Sequence, residues 1–360
     1  QDSIILLDWN NSFISKNTPL AKSFTEEYNN KIHFAKEKER GFTAIANIKD
    51  SNNNELDYYR LNDHQDIIVV KLDSLDPIIK IKYVIKVPSS KFTGYGYTKT
   101  KNYYLQYWHL VPALNLDKWT VYSNKNLNDI PSSKYNISSL EIKTPSNYHI
   151  TTELKKIKTE LLSRNGFKYS YWKSKEVYDP KIYIEKERSY NKIEENKLIF
   201  FKNKNIESYS LNRNQFKISN KKVLDFLVNE LDISLNNKFI LSDVDYNNNK
   251  IYDLNLLPKI LQVYPEKFIY ELQFLKVLVS KVLDNFLIIN PREEYWLKDG
   301  IQTYIMISYV EKFYPKISLV GSLSKFPGLK NLYASKLKYN DKYFLAILHM
   351  HRINNTQKLS

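Results

Sequence analysis

The apolar residues of this chain repeat with one period in its first 200 residues and with another afterwards, and no single layer of structure suits both. In the first part they alternate. The segment PIIKIKYVIKVP (77–88) sets Ile79, Ile81, Tyr83, Ile85 and Val87 on one side and mostly lysine on the other, the period-two signature of a half-buried strand. The preceding IIVVKLDSL (67–75) reads as a second strand, joined to the first by a Ser-Leu-Asp-Pro turn. NYYLQYWHLVPAL (102–114), KWTVYSN (118–124), YNISSLEIKTP (135–145) and YHITTEL (148–154) continue the theme. Short strands punctuated by Pro and Asn predict an antiparallel β-sandwich or one large curved sheet. One helix interrupts early, with Thr18 as N-cap, Pro19 at the first helical position and LAKSFTEEYNN (20–30) behind them.

After residue 220 the helical period takes over. NKKVLDFLVNEL (220–231) is amphipathic, and KFILSDVDY (238–246) is strand-like and leads into an Asn-rich turn. From Pro265 a helix runs to about Phe286. Phe268, Leu272, Leu275, Val279, Val282 and Phe286 form one stripe along it. NPREEY (290–295) then breaks the chain and a further helix opens near Trp296. The polar stretch at 190–220 places a domain boundary near residue 204, between a β-rich domain over 1–204 and a mostly helical one over 205–360. The expected class is α+β, multidomain.

Composition narrows the functions. The net charge is +15, from 54 Lys and Arg against 39 Asp and Glu. The lysines are spread evenly, without an Arg-rich block, and the 29 tyrosines with abundant Asn and Ile follow AT-rich coding. No specific nucleic-acid partner is therefore expected. The absence of cysteine excludes disulfides, thiolate metal sites and Cys nucleophiles. No run approaches the roughly 18 apolar residues of a membrane span. The chain opens at Gln1 without Met and reads as a processed or trimmed product, with an extracytoplasmic or cell-envelope location expected.

The helix pair at 265–313 carries a resemblance. The second helix opens Tyr295-Trp296-Leu297-Lys298-Asp299-Gly300. Two consecutive helices of which the second begins Trp-Leu-x-carboxylate-Gly resemble the alanyl-aminopeptidase family of gluzincin zinc metallopeptidases. That family carries H-E-x-x-H on the first helix, where two His at i and i+4 share a face and bind zinc while the Glu is the general base. Laid on that turn, Asp299 takes the third-ligand position. Counting back puts the second His position at Ser280, the first at Lys276 and the general base at Val277. IYDLNLLP (251–258) sits where the family has its substrate-amine loop, so Asp253, Leu254 and Asn255 stand where its Glu would grip the substrate. The resemblance implies an N-terminal β-sandwich or saddle domain over 1–204, its first strands missing. A thermolysin-like gluzincin domain over 205–360 follows, truncated at its C-terminal end. It is that of a divergent Bacteroidetes-type member.

What it implies about activity is negative. The zinc motif is absent, so no catalytic residue and no cofactor are expected. The chain reads as an inactive aminopeptidase-like protein binding peptide or protein in the former cleft, or serving as a scaffold. Two alternatives stay open. One is an active zinc metallopeptidase whose ligands lie elsewhere, and the other is a basic β-domain binding a polyanion or glycan. For the vestigial site, Lys276 could neutralise Asp299 in place of zinc, or both could reach solvent without meeting. Among the six histidines only His349 and His351 stand close, two apart, a spacing that suits a strand better than a helix. DVDYNNNK (243–250) lacks the Gly and bidentate Glu of a calcium loop and reads as a turn. Arg292-Glu293-Glu294 reads as a solvated helix start with Glu near the positive dipole end. The aromatics of 102–110 read as an alternating sheet face.

Overall fold

The structure is a computed structural model and describes residues 3–72, 78–115, 118–125, 130, 132, 134–162, 166–195, 198–203, 211–231, 238–251, 254, 262–287 and 289–352. Its contacts divide the chain into two compact units, Gln1–Asn191 with Leu287–Arg292, and Lys192–Phe286 with Glu293–Ser360.

The first unit is built of small sheets. One has the order Tyr58–Leu61, His64–Lys71, Ser3–Leu7, Val111–Pro112, and Phe42–Lys49 pairs with Lys80–Lys86. Leu6, Ile48, Leu56, Ile68, Val70 and Leu110 make a core cluster, with Ile79, Ile81 and Tyr83 packed against it. The alternation at 77–88 thus yields a strand with its apolar side inward. It does not pair with the strand before it, contrary to the hairpin expected there. Residues 66–70 are buried without alternation, so both faces of that strand are covered, and its two edges are taken by Tyr58–Leu61 and Ser3–Leu7. The turn residues 73–77 lie outside the described residues.

Leu114–Asn115 pairs with Trp119–Thr120, and two larger sheets complete this unit among the described residues. One has the order Tyr135–Pro145, Phe167–Val177, Lys155–Leu162, and the other His149–Thr152, Ile182–Glu185, Tyr103–Leu105, Gly96–Tyr97. Segment 102–114 is not one strand. It breaks at Tyr107, held at φ +44, and its pieces Tyr103–Leu105, Val111–Pro112 and Leu114–Asn115 serve three different sheets. The break is fixed by Asp179, whose Oδ1 accepts from Tyr107 N at 2.8 Å. Helix α1 (Pro19–Glu26) has the expected Thr18 cap on Ala21 N, yet it ends at Glu26. Tyr28, at φ +58, is already past its end.

The second unit is mostly helical. Helix α2 (Arg213–Leu231) starts seven residues before the amphipathic stretch. Asn212 Oδ1 accepts from Gln215 N at 3.0 Å while Gln215 Oε1 accepts from Asn212 N at 2.8 Å, a reciprocal cap that polar residues alone did not advertise. Strand Leu198–Asn203 pairs in parallel with Lys238–Leu241, and α2 is the crossover such a pair needs. Helix α3 (Asp243–Asn248) replaces the expected turn because Ser242 and Asp245 form a capping box. Helix α4 (Glu266–Phe286) is buried on nearly every side from Phe268 to Leu283, more than one stripe requires, whereas Phe286 is half exposed. Helices α5 (Tyr295–Phe313), α6 (Tyr333–Lys336) and α7 (Asp341–Arg352) follow. No helix among the described residues is long and apolar enough to cross a membrane.

Candidate functional site

A helix buried on all sides must find partners for its polar side chains, and α4 does so with neighbours in the second unit. Lys281 pairs with Asp245 at 2.7 Å with both side chains buried, and Gln273 Nε2 donates to Asn249 O at 2.7 Å. Asp284 pairs with Lys298 of α5 at 2.5 Å. Gln302 of α5 donates to the Lys276 carbonyl at 2.9 Å.

These contacts frame the positions carried over from the zinc motif. Lys276, Val277 and Ser280 lie on α4 and Asp299 near the start of α5. Val277 is fully buried and Ser280 nearly so. The Lys276 ammonium donates to Lys250 O at 2.9 Å, and no ion pair joins it to Asp299 among the described residues. Burial raises the Asp299 carboxyl above the usual carboxylate range, and the charges of Lys298 and Lys276 oppose part of that rise. The idea of a lysine clasped directly to this acid therefore gives way to one acting on it through its field. Gly300 faces open space, so no close packing demands a glycine there. In the substrate-amine loop only Leu254 of the three is described. It is fully buried, while Asp253 and Asn255 lie outside the described residues.

The strongest polar constellation of the second unit went unpredicted. Glu271 has no exposed surface. Its Oε1 accepts from Ser219 Oγ at 2.7 Å, and its Oε2 from Lys222 Nζ at 2.7 Å, Tyr309 OH at 2.7 Å and Tyr314 OH at 2.6 Å. Burial alone would raise this carboxyl, but the four donors, Lys222 first, outweigh it and hold it below its ordinary value. Both phenols are pushed far above the usual tyrosine range, by burial first and then by the carboxylate. A group so saturated and so far from neutral pH holds helices together and does not exchange protons. One signal was available. Glu271 sits three residues after Phe268 and four before Leu275, a lone charge on the apolar stripe.

In the first unit, His64, Asp66 and Ser123 come together. Ser123 Oγ donates to Asp66 Oδ1 at 2.5 Å and lies 2.8 Å from His64 Nδ1. A nucleophilic triad needs the histidine to take the serine proton and the carboxylate to hold the histidine. Here the proton goes to Asp66, and Ser123 is buried. Asp66 also accepts from Ser12 Oγ and Asn124 N, at 3.0 and 2.8 Å, which makes the cluster a strut. Other candidates also dissolve. His349 and His351 fall on a helix, α7, and not on a strand. Arg292 lies over the Tyr122 ring with its guanidinium carbon 3.6 Å from the centroid. No group of three or more His, Asp or Glu able to hold a metal occurs among the described residues.

The sequence matches no protein-family model and no curated protein. Among solved structures, a mutant M1 zinc metallopeptidase from Deinococcus radiodurans bound to a Tyr-Ser-Ala substrate aligns over 99% of this chain and 79% of its own, at 11% identity and a TM-score of 0.50. The fold resembles that of M1 zinc metallopeptidases. A second mutant structure from the same organism aligns over 86% of this chain at 11% identity and a TM-score of 0.49. This chain spans 63% of that structure's length. The strand-rich N-terminal region followed by a helical C-terminal one is the architecture in common.

In the family that the Trp-Leu-x-carboxylate-Gly turn resembles, the site holds zinc, which at a catalytic site needs about three His or carboxylate ligands. The four positions assigned by the resemblance supply an ammonium engaged with a carbonyl, a valine without a donor atom, a serine hydroxyl and one carboxylate. That set does not fit the ion.

Proposed function

We propose that this chain is a non-catalytic, peptide- or protein-binding relative of the zinc aminopeptidases. The observation that carries the reading is Val277, fully buried at the position the resemblance gives to the general base, with Lys276 and Ser280 where two imidazoles would stand. Neither a proton acceptor nor a zinc donor set is offered there. The Tyr-Ser-Ala peptide bound by the structural neighbour supports a peptide as the ligand class. In this reading residues 1–204 are the family's N-terminal β-domain, residues 205–360 are part of its thermolysin-like domain, and the protein works at the cell envelope.

The test is hydrolysis of aminoacyl reporter substrates by the full chain, with added zinc and with a chelator, beside fluorescence anisotropy of a labelled Tyr-Ser-Ala tripeptide. Binding without turnover is expected. Chelator-sensitive turnover would overturn the reading in favour of an active metallopeptidase.

A further inference from the structure

We propose that the loop at residues 319–337 of the helical unit docks on an anionic lipid bilayer. Residues 312–340 contain six lysines and no acid, and all six lysines are exposed. Within this stretch every residue from Lys325 to Ala334 is exposed. That includes Phe326 at 59%, Leu332 at 53% and Tyr333 at 76%, with Leu323 and Leu329 also open to solvent. Clustered apolar side chains facing water mark an interaction surface. Exposed aromatic and aliphatic side chains interspersed along the sequence with lysine match a bilayer interface, where rings settle at headgroup depth and each lysine is drawn to anionic lipid.

The loop is held to present them. Its base is closed by the bridge between Ser318 and Lys338 and by the bonds Leu319 N to Leu337 O and Tyr339 N to Ile317 O, both 2.9 Å. Tyr339 below it is buried, and Ser322 N donates to Val263 O at 2.8 Å. Gly321, at φ +55, lets the backbone pass where a Cβ would lie 2.4 Å from Val263 O.

Two features favour lipid over protein. The tip satisfies its own backbone through successive turns, with Leu329 N and Lys330 N donating to Phe326 O, Leu332 N to Leu329 O and Ser335 N to Leu332 O. Backbone that dips below the hydrated headgroups must be paired in this way. The apolar residues also recur every third position, at 323, 326, 329 and 332, as separate points without groove walls. A fluid bilayer accepts that shape, whereas a protein partner needs a complementary surface. The chain's charge of +15 would steer the encounter.

The test is co-sedimentation of the full chain with vesicles of phosphatidylcholine containing one third phosphatidylglycerol, and with pure phosphatidylcholine vesicles. Binding to the mixed vesicles only, weakened by salt, is expected. Lys325→Gln with Lys330→Gln should lower partitioning about 10–30-fold, and Phe326→Ser with Leu332→Ser roughly tenfold or more. All four side chains are exposed, and circular dichroism checks that the fold is kept. Equal binding to both vesicles, no binding, or binding that both variants leave unchanged would overturn the proposal. So would a wild-type dimer that ignores vesicles and that the Phe326→Ser, Leu332→Ser variant turns to monomer. That result would make the surface a contact between copies.

Discussion

Replacing Glu271 by Ala should be among the most costly single changes in the helical unit. It removes the shared acceptor of Ser219, Tyr309 and Tyr314 and the counter-ion of Lys222, four contacts of 2.6–2.7 Å at a site without exposed surface. Each hydrogen bond to a charged group contributes roughly 1.5–3 kcal/mol. Breaking a buried pair by deleting one partner costs about 3–5 kcal/mol. Lys222 keeps some stabilisation from the Phe313 and Tyr314 rings, each 4.4 Å away. The net loss should therefore be about 4 kcal/mol. Urea unfolding followed by far-UV circular dichroism, which tracks these helices, gives the number. At about 2–4 °C per kcal/mol for a unit of this size, the melting midpoint should fall by roughly 10 °C. Glu271→Gln keeps the shape and one acceptor oxygen but loses the charge, and should cost about half as much. Because the folded carboxyl lies below its ordinary value, 4.5, its contribution is full above that pH and is lost as pH falls through the folded value. The Gln variant should therefore lose part of the wild type's sensitivity to acid. A loss under about 1 kcal/mol for the Ala variant would refute the view that this carboxylate ties α2, α4 and α5 together.

Asp179 should show the opposite pH dependence. Burial raises its carboxyl from 3.8 to about 7. Its contribution is therefore full below the unfolded value and is lost as pH rises to about 7, by up to roughly 4 kcal/mol. Asp179→Asn keeps an acceptor for Tyr107 N, so urea midpoints near pH 4.5 and 7.5 (about the two ends of that window) should differ less in the variant. Two glycines should part company in thermal melts. Gly321→Ala, at φ +55 with a Cβ 2.4 Å from Val263 O, should destabilise by roughly 1–3 kcal/mol. Gly300→Ala, in α5 with nothing within 4 Å, should stabilise by about 0.5–1 kcal/mol.

Where one periodicity was strong, the sequence was legible. The alternation at 77–88 and the stripe on α4 both became the elements they predict, and Thr18 caps α1 as Ser/Thr caps do. Failures came where a long-range partner overrides local pattern. Nothing in residues 67–88 says that the two strands belong to different sheets, because partner choice depended on strands near residues 3 and 58. Segment 102–114 looks continuous until Asp179, 72 residues on from Tyr107, pins its kink. The starts of α2 and α3 were missed although both carry reciprocal caps, Asn212 with Gln215 and Ser242 with Asp245. Asn and Asp favour turns as readily as caps, and the side-chain geometry decides. The Glu271 cluster draws its donors from α2 and from the C-terminal end of α5, and only the lone charge on an apolar stripe hinted at it.

Zinc content tests the central claim most directly. The full chain would be equilibrated with zinc, separated from free ion and measured by mass spectrometry, beside the Asp299→Ala variant. If Lys276 and Ser280 occupy the two old histidine positions, neither protein holds stoichiometric zinc. One zinc per chain in the wild type, lost on replacing Asp299, would contradict this and restore a metallopeptidase site.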